Sequence, residues 1–354
     1  MKRIAFHDRE RETEEIMKIL DAEPSLITFI YGPINSGKTM LVSHLISQLP
    51  EEYVVFYINL RGRFISDYRD FIRVLFKIER GKNYKEVLKT ILEVSAVTLK
   101  FSGIPVAESV MNALFKEKSY EDVFEFLEDY FTTIAKNKRP VLIIDELQVV
   151  GDLKIDGLLM YKLFNFFIRL TKELHLCHIF AVSSDSLAIV NIYSEAMLDG
   201  RCRYLLVDDF DYGTAAALLE EHGFTDDEKV VAWEYCGGKP GCLMEILYAD
   251  NRERTAKDML RTRVTQLKDL LDYLDYTKPR ITIGDDEYMV KKKDITDILN
   301  RFLDTEYIDD AGLNRPAKHF LIKDNILFLD PHTGIIKSQS RLDLLAIREV
   351  MKNV

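Results

Sequence analysis

The chain has 354 residues, a formal net charge of −10, and 47% hydrophobic against 30% charged residues. That length suits two or three modules rather than one small core, and the composition excludes a largely disordered chain. The acidic balance argues against a protein whose whole surface embraces nucleic acid, while leaving room for a local basic patch.

A helix mixing acidic and basic residues is expected around Arg9 to Leu20, and Leu26-Ile27-Thr28-Phe29-Ile30-Tyr31 reads as a buried strand running straight into Gly32. Gly32-Pro33-Ile34-Asn35-Ser36-Gly37-Lys38-Thr39 then matches G-x-x-x-x-G-K-[ST] between a strand and a helix, the context that this motif demands. Glycine is needed there because the backbone must turn its N–H groups onto phosphate oxygens, and a Cβ would block the approach. All eight residues, with Met40 behind them, are expected to hold a nucleoside triphosphate. Lys38 would meet the β- and γ-phosphates, and the Thr39 hydroxyl would ligate Mg²⁺. The helix runs from near Lys38 to Pro50, and a second strand covers Tyr53 to Ile58.

From about Ser66 to Lys138 the periodicity is helical, broken at Gly81-Lys82-Asn83 and Gly103-Ile104-Pro105, and reads as a helical insertion or long crossover. Val141-Leu142-Ile143-Ile144 is the next buried strand and ends at Asp145-Glu146. Asp145 fits the Walker B role of holding magnesium. Glu146, facing the other side of the strand, fits the group that orients the water attacking the γ-phosphate, and Gln148 is read as facing solvent. A helix from about Leu158 to Leu174 and strands at His178 to Val182 and Tyr204 to Val207 complete five strands. Strands of this kind alternating with helices predict a mainly parallel sheet covered on both faces. From Tyr212 to about Tyr276 the chain reads as helical, with a turn at Gly237-Gly238-Lys239-Pro240-Gly241, and short strands return beyond Lys278. Boundaries are expected near 208 and 277.

Cys177, Cys202, Cys236 and Cys242 form no C-x-x-C pair and follow no secretory signal, which predicts reduced thiols in a cytoplasmic protein. His175, Cys177 and His178 are read as core packing rather than metal ligands, because further ligands are missing. No membrane span is expected, since Lys162, Asn165 and Arg169 interrupt the most apolar helix.

With the P-loop, the Val-Leu-Ile-Ile-Asp-Glu strand and the helices after it in place, the sequence resembles the archaeal ATPase family of STAND-class, AAA+-related P-loop proteins. The likeness spans most of the chain. It implies an α/β P-loop NTPase: a five-stranded, mainly parallel core over residues 1–207 with the insertion at about 66–138, a helical lid over 208–276, and a winged-helix-like domain over 277–354. Phe6-His7-Asp8-Arg9-Glu10 looks like the family's F-x-x-R-E segment, which implies Arg9 near the adenine. Ser183-Ser184-Asp185 stands where relatives place a polar sensor, carried here by Ser184, and is equally readable as a helix cap. Gly200-Arg201 resembles a G-R pair whose arginine would neutralise the transferred phosphoryl group, or is a surface arginine. Gly237-Gly238-Lys239-Pro240 looks like the G-G-x-P turn that brings Pro240 near the nucleotide, and is also an ordinary helix start. Adenine preference likewise comes from the resemblance, as no N-K-x-D guanine reader is present.

The function expected is a nucleotide-dependent switch that hydrolyses ATP to ADP and phosphate with Mg²⁺. Its partners would be ATP and ADP, a further protein or DNA, and other copies of itself in a nucleotide-dependent homo-oligomer. The alternative is a DNA-associated ATPase, similar to replication initiators or mobile-element proteins, with duplex DNA on the C-terminal domain. Against it, residues 281–354 hold eleven Lys and Arg and thirteen Asp and Glu, a net −2, and Lys291-Lys292-Lys293 reads as a solvated face. A small-molecule kinase, the third class, has no need of Glu146 as a water-activating base.

Overall fold

The computed structural model describes residues 7–93, 99–117, 120–151, 159–284 and 286–353; Phe6 and Leu158 lie outside the described residues. Two compact units divide the chain. The first contains residues up to Tyr31, Lys38–Ser184 and Ala188–Leu206; the second contains Gly32–Gly37, Asp185–Leu187 and everything from Val207 on.

In the first unit the strands are β1 (Ile27–Tyr31), β2 (Tyr53–Asn59), β3 (Phe76–Glu79), β4 (Leu99–Ser102), β5 (Ile104–Ala107), β6 (Arg139–Asp145), β7 (His178–Ser183) and β8 (Cys202–Leu206). Six of them form one parallel sheet in the order β4-β2-β6-β7-β1-β8. Every residue of β1 and β7 is buried, the pattern of strands covered on both faces. The register pairs Asn59 with Asp145, Asp145 with Val182 and Tyr31 with Ser183, so β1, β2, β6 and β7 all end at one edge.

Five strands are expected from the sequence, and the sixth, β4, corrects the reading of residues 66–138 as helical. That stretch does contain helices Tyr68–Leu75, Tyr84–Glu93, Glu108–Glu117 and Tyr120–Ala135. Between them it places β4 on the edge beside β2, and a separate parallel pair, β3 with β5. Strands of four residues are too short to show a period of two amid helical patterns. An edge strand also needs few apolar residues, and Lys100 of β4 sets its ammonium 4.7 Å over the Tyr57 ring. The helix at Leu159–Ile168 closes with a π-helical turn, Arg169–Glu173. Beyond it the His175 ring meets the Pro24 carbonyl at 2.6 Å, while Cys177 and His178 are buried.

The second unit opens with helices Tyr212–Glu221, Asp226–Cys236, Pro240–Leu247 and Arg252–Thr277. Three of them start on side-chain caps: Asp211 accepts from the Thr214 N–H, Thr225 with Glu228 forms a capping box, and Asn251 accepts from the Arg254 N–H. The strands are β9 (Arg280–Ile283), β10 (Asp286–Met289), β11 (Tyr307–Asp309), β12 (Leu327–Leu329) and β13 (Ile335–Ser338). They form an antiparallel hairpin, β10-β9, and an antiparallel sheet ordered β11-β13-β12. One apolar core joins Val264, Leu267 and Leu271 of the long helix to Ile298, Phe302, Leu321, Ile336 and Ile347. A boundary at 277, as the sequence suggests, therefore cuts through a shared core. Among the described residues no helix is long and apolar enough to cross a membrane.

Candidate functional site

At the end of β6, Asp145 is 2% exposed and its carboxylate collects hydroxyls. Thr39, in the first turn of helix Lys38–Gln48, donates to Oδ2 at 3.1 Å, and the Tyr57 phenol donates to the same oxygen at 2.6 Å. Tyr57 reaches it because β2 lies beside β6. Burial first, then the bond to Asp145, pushes the Tyr57 phenol well above its ordinary pKa, so it stays a donor. The backbone also pins the strand end, as the Leu60 N–H donates to the Asp145 carbonyl at 3.0 Å.

Glu146 turns out of the strand with a φ of 62°, a left-handed conformation unusual for glutamate. Its Oε1 is ion-paired to Arg61, and its Oε2 accepts from Gln148 Nε2 at 2.6 Å. Gln148 is not a solvent-facing residue, contrary to the sequence reading: its Oε1 accepts from Ser183 Oγ at 2.8 Å, which fixes its amide. Sequence reasoning missed Tyr57, Arg61, Gln148 and Ser183. The available signal was two polar residues, Tyr57 and Asn59, at the end of an otherwise apolar strand in register with Asp145.

In the second unit, the loop Gly32–Gly37 takes left-handed backbone at Asn35 (φ 58°) and Gly37 (φ 95°), which curls successive N–H groups inward as an anion nest requires. The position of a Cβ on Gly37 is open space, whereas at Gly32 one would stand 2.1 Å from the Val207 carbonyl oxygen. Ile34 is held at both backbone groups. Its N–H donates to Gln339 Oε1 at 3.1 Å, and its carbonyl accepts from Lys239 Nζ at 3.0 Å. Lys239 is 4% exposed and also pairs with Asp209 at 2.9 Å. Burial raises the Asp209 carboxyl and the ammonium of Lys239 opposes that shift. Pro240 occupies the first turn of its helix, and Gly241 lies where a Cβ would come 3.2 Å from that of Asn35.

Of the other expected residues, Ser36 and Lys38 are buried, Pro33 and Ile34 share the curled loop, and Met40 is 55% exposed. Arg9 takes φ 82° before the first helix and donates to Glu12 at 2.7 Å. Ser184 follows β7, where the hydroxyl that joins the Glu146 cluster is that of Ser183. Arg201 is placed elsewhere. Its carbonyl accepts from the Ile27 N–H at the start of β1, about 13 Å (four strand rises) from the edge where Tyr31 and Asp145 end. Within its own chain, therefore, Arg201 does not join Asp145 and Glu146, which corrects the catalytic role expected of it.

Residues 6–246 match the family described as an ATPase domain predominantly from Archaea, and residues 253–351 match the C-terminal domain described as that of "Uncharacterized ATP-binding protein MJ1010-like". An uncharacterized ATP-binding protein of Methanocaldococcus jannaschii is 45% identical, over 99% of this chain and 98% of its own. Another, from Pyrococcus abyssi, is 44% identical over 98% and 99%. Among solved structures, a Walker-type ATPase of Pyrococcus abyssi is similar with a TM-score of 0.63, covering 97% of this chain and 96% of its own at 15% identity, a likeness of fold. Curled loop, strand-end carboxylates, parallel sheet and full-length matches agree, and the chain belongs to the archaeal ATPase family of ATP-binding P-loop proteins.

Proposed function

We propose that the chain is a magnesium-dependent ATPase working as a nucleotide-dependent switch, cleaving ATP to ADP and phosphate. The observation that carries this reading is the approach of the Thr39 hydroxyl and the Asp145 carboxylate to 3.1 Å, a pair of hard oxygens of the kind magnesium takes. An ion held by Thr39 and Asp145 would neutralise charge on the β- and γ-phosphates. The remaining work falls to protein groups. The N–H groups of the curled loop and the start of helix Lys38–Gln48 bind phosphate, with the Lys38 ammonium adding a full charge. The Tyr57 hydroxyl fixes the rotamer of Asp145.

Glu146 is the base that orients the attacking water. Each of its oxygens already accepts one bond, from Arg61 or from Gln148, so water competes with the exposed Arg61 for the carboxylate. That competition favours slow turnover, as suits a switch. The C-terminal segment is read as winged-helix-like on the β11-β13-β12 sheet with helices Lys292–Asn300 and Arg315–Lys323. Lys292 is already paired with Asp275 at 2.7 Å, and the net charge of −2 over 281–354 favours a protein over duplex DNA as the partner met there. Calorimetry with MgATP and MgGTP, coupled to phosphate release, tests the reading. Adenine-selective binding with acceptor-independent release is the expected result, and absence of affinity for any magnesium nucleoside triphosphate sinks it.

A further inference from the structure

The phosphate-binding loop belongs to the second unit, and what holds it there lies far along the chain. Lys239 is 205 residues from Ile34 and Gln339 is 305. Gln339 follows β13, is 2% exposed, and has no freedom to turn. Its Nε2 donates to the Leu327 carbonyl of β12 at 3.1 Å, and its own N–H donates to the Ile326 carbonyl at 3.0 Å. With the amide nitrogen spent on Leu327, Oε1 is the atom left to accept from Ile34. The same strand anchors the segment that leads into the helices, through Lys337 Nζ, 2.5 Å from both oxygens of Asp208. The next residue, Asp209, pairs with Lys239, and the Phe210 N–H donates to the Gly238 carbonyl at 2.9 Å.

An N–H donating to Gln339 does not donate to a phosphate. Ile34 therefore contributes the path of the loop, and that path is set by two side chains whose own positions depend on β12, β13 and the 237–241 turn. The Ile34 N–H loses its partner if Gln339 withdraws and the Ile34 carbonyl loses its partner if Lys239 does, and each loss opposes the curled conformation.

We propose that Gln339, with Lys239, is a positioning residue that couples nucleotide occupancy of the loop to the state of the β12–β13 segment. The proposal rests on the reading of Gly32–Thr39 as a nucleotide site. By linkage the coupling runs both ways: nucleotide firms residues 326–339, and a partner that shifts β13 changes nucleotide affinity by the same factor.

The test is hydrogen exchange of the full chain with and without MgADP, together with MgADP affinity for the parent, Gln339→Leu and Ile336→Val. In the parent, MgADP is expected to slow exchange at Ile34 and across residues 326–339. Gln339→Leu is expected to weaken MgADP about tenfold, the factor for one lost hydrogen bond and the strain that follows, and to abolish the nucleotide effect on 326–339. Ile336→Val, which trims a fully buried side chain of the same strand and leaves the Gln339 bonds in place, is expected to lower stability and to cost far less affinity than Gln339→Leu. A parent that binds MgADP with no change of exchange in 326–339 overturns the proposal without recourse to any variant. So does a Gln339→Leu protein with the affinity and exchange pattern of the parent, or an Ile336→Val protein that loses affinity as far as Gln339→Leu does. A parent that fails to bind MgADP removes the site reading itself and the coupling with it.

Discussion

The strand-end cluster and the phosphate-binding loop are built in opposite ways. Around Asp145 and Glu146 most partners come from a neighbouring strand or the residues just beyond one, Tyr57 and Arg61 from β2, Gln148 just after β6 and Ser183 from β7, and Thr39 comes from helix Lys38–Gln48. Parallel pairing fixes that arrangement, because Asn59, Asp145 and Val182 share one register. The loop is held instead by Lys239 and Gln339, which reach Ile34 only after the 237–241 turn and the β12–β13 sheet have formed. The groups proposed for the chemistry are thus set mainly by the sheet, and the groups that shape the loop are set by the last part of the chain to be made.

This contrast can be broken at the strand end. Glu146→Gln keeps the shape and one acceptor oxygen, enough for one of the donors Arg61 and Gln148, while removing the proton acceptor, so turnover is expected to fall about 10²–10⁴-fold with MgATP binding retained. Phosphate release and calorimetry on the same protein separate the two. Parent-rate hydrolysis by this variant would show that the cluster around Glu146 holds a strand end in place and nothing more. Tyr57→Phe comes next in size. It retains the ring that Lys100 covers and removes only the hydroxyl on Asp145, so a loss of about 10–100-fold in magnesium affinity or activity is expected, as for other outer partners of metal ligands. A magnesium titration of the ATPase rate reads it directly.

Arg61→Ala has the opposite sign. The Arg61 side chain is 74% exposed, and an exposed ion pair is worth about 0.2–1 kcal/mol, so freeing Glu146 is expected to raise basal turnover by up to about fivefold. A decrease would instead make Arg61 part of the productive site, and the competition with water would have to be abandoned.

Legibility follows the same divide. The phosphate loop, the Asp-Glu strand end and the alternation of buried strands with helices are readable because phosphate and metal chemistry demand particular residue types at fixed spacing. Gln148 misled because nothing local distinguishes a glutamine bound to a glutamate from one facing solvent. Strand β4 hid because four residues on an edge carry too little pattern. Arg201 was misplaced because a G-R pair before a strand does not say which end of the sheet the arginine occupies; the Ile27–Arg201 backbone bond does. Gln339 left no trace, since a residue that positions a backbone N–H needs only an acceptor at the right place, which many residue types and registers supply.

The smallest expected effect compares the two units by acid. Each holds a histidine kept neutral: burial, then the charges of Arg139 and Arg203, pushes His178 of β7 down to about 4. Burial, then Lys318, Arg315 and Lys323, pushes His319 in helix Arg315–Lys323 down to about 4 as well. In the unfolded chain each takes its proton near pH 6.5, so between about 6.5 and 4 unfolding binds protons that the folded protein refuses. Stability conferred by the neutral rings is therefore complete above about pH 6.5 and drains away as the pH falls towards 4. The slope approaches about 1.4 kcal/mol per pH unit for each proton taken up. His178→Gln should flatten the pH dependence of exchange for the amides of β6 and β7 and leave that of β12 and β13 as in the parent, while His319→Gln does the reverse. Flattening in both units from either substitution would mean that they open as one, and the separation between sheet-set chemistry and late-set positioning would then be a difference of sequence distance alone.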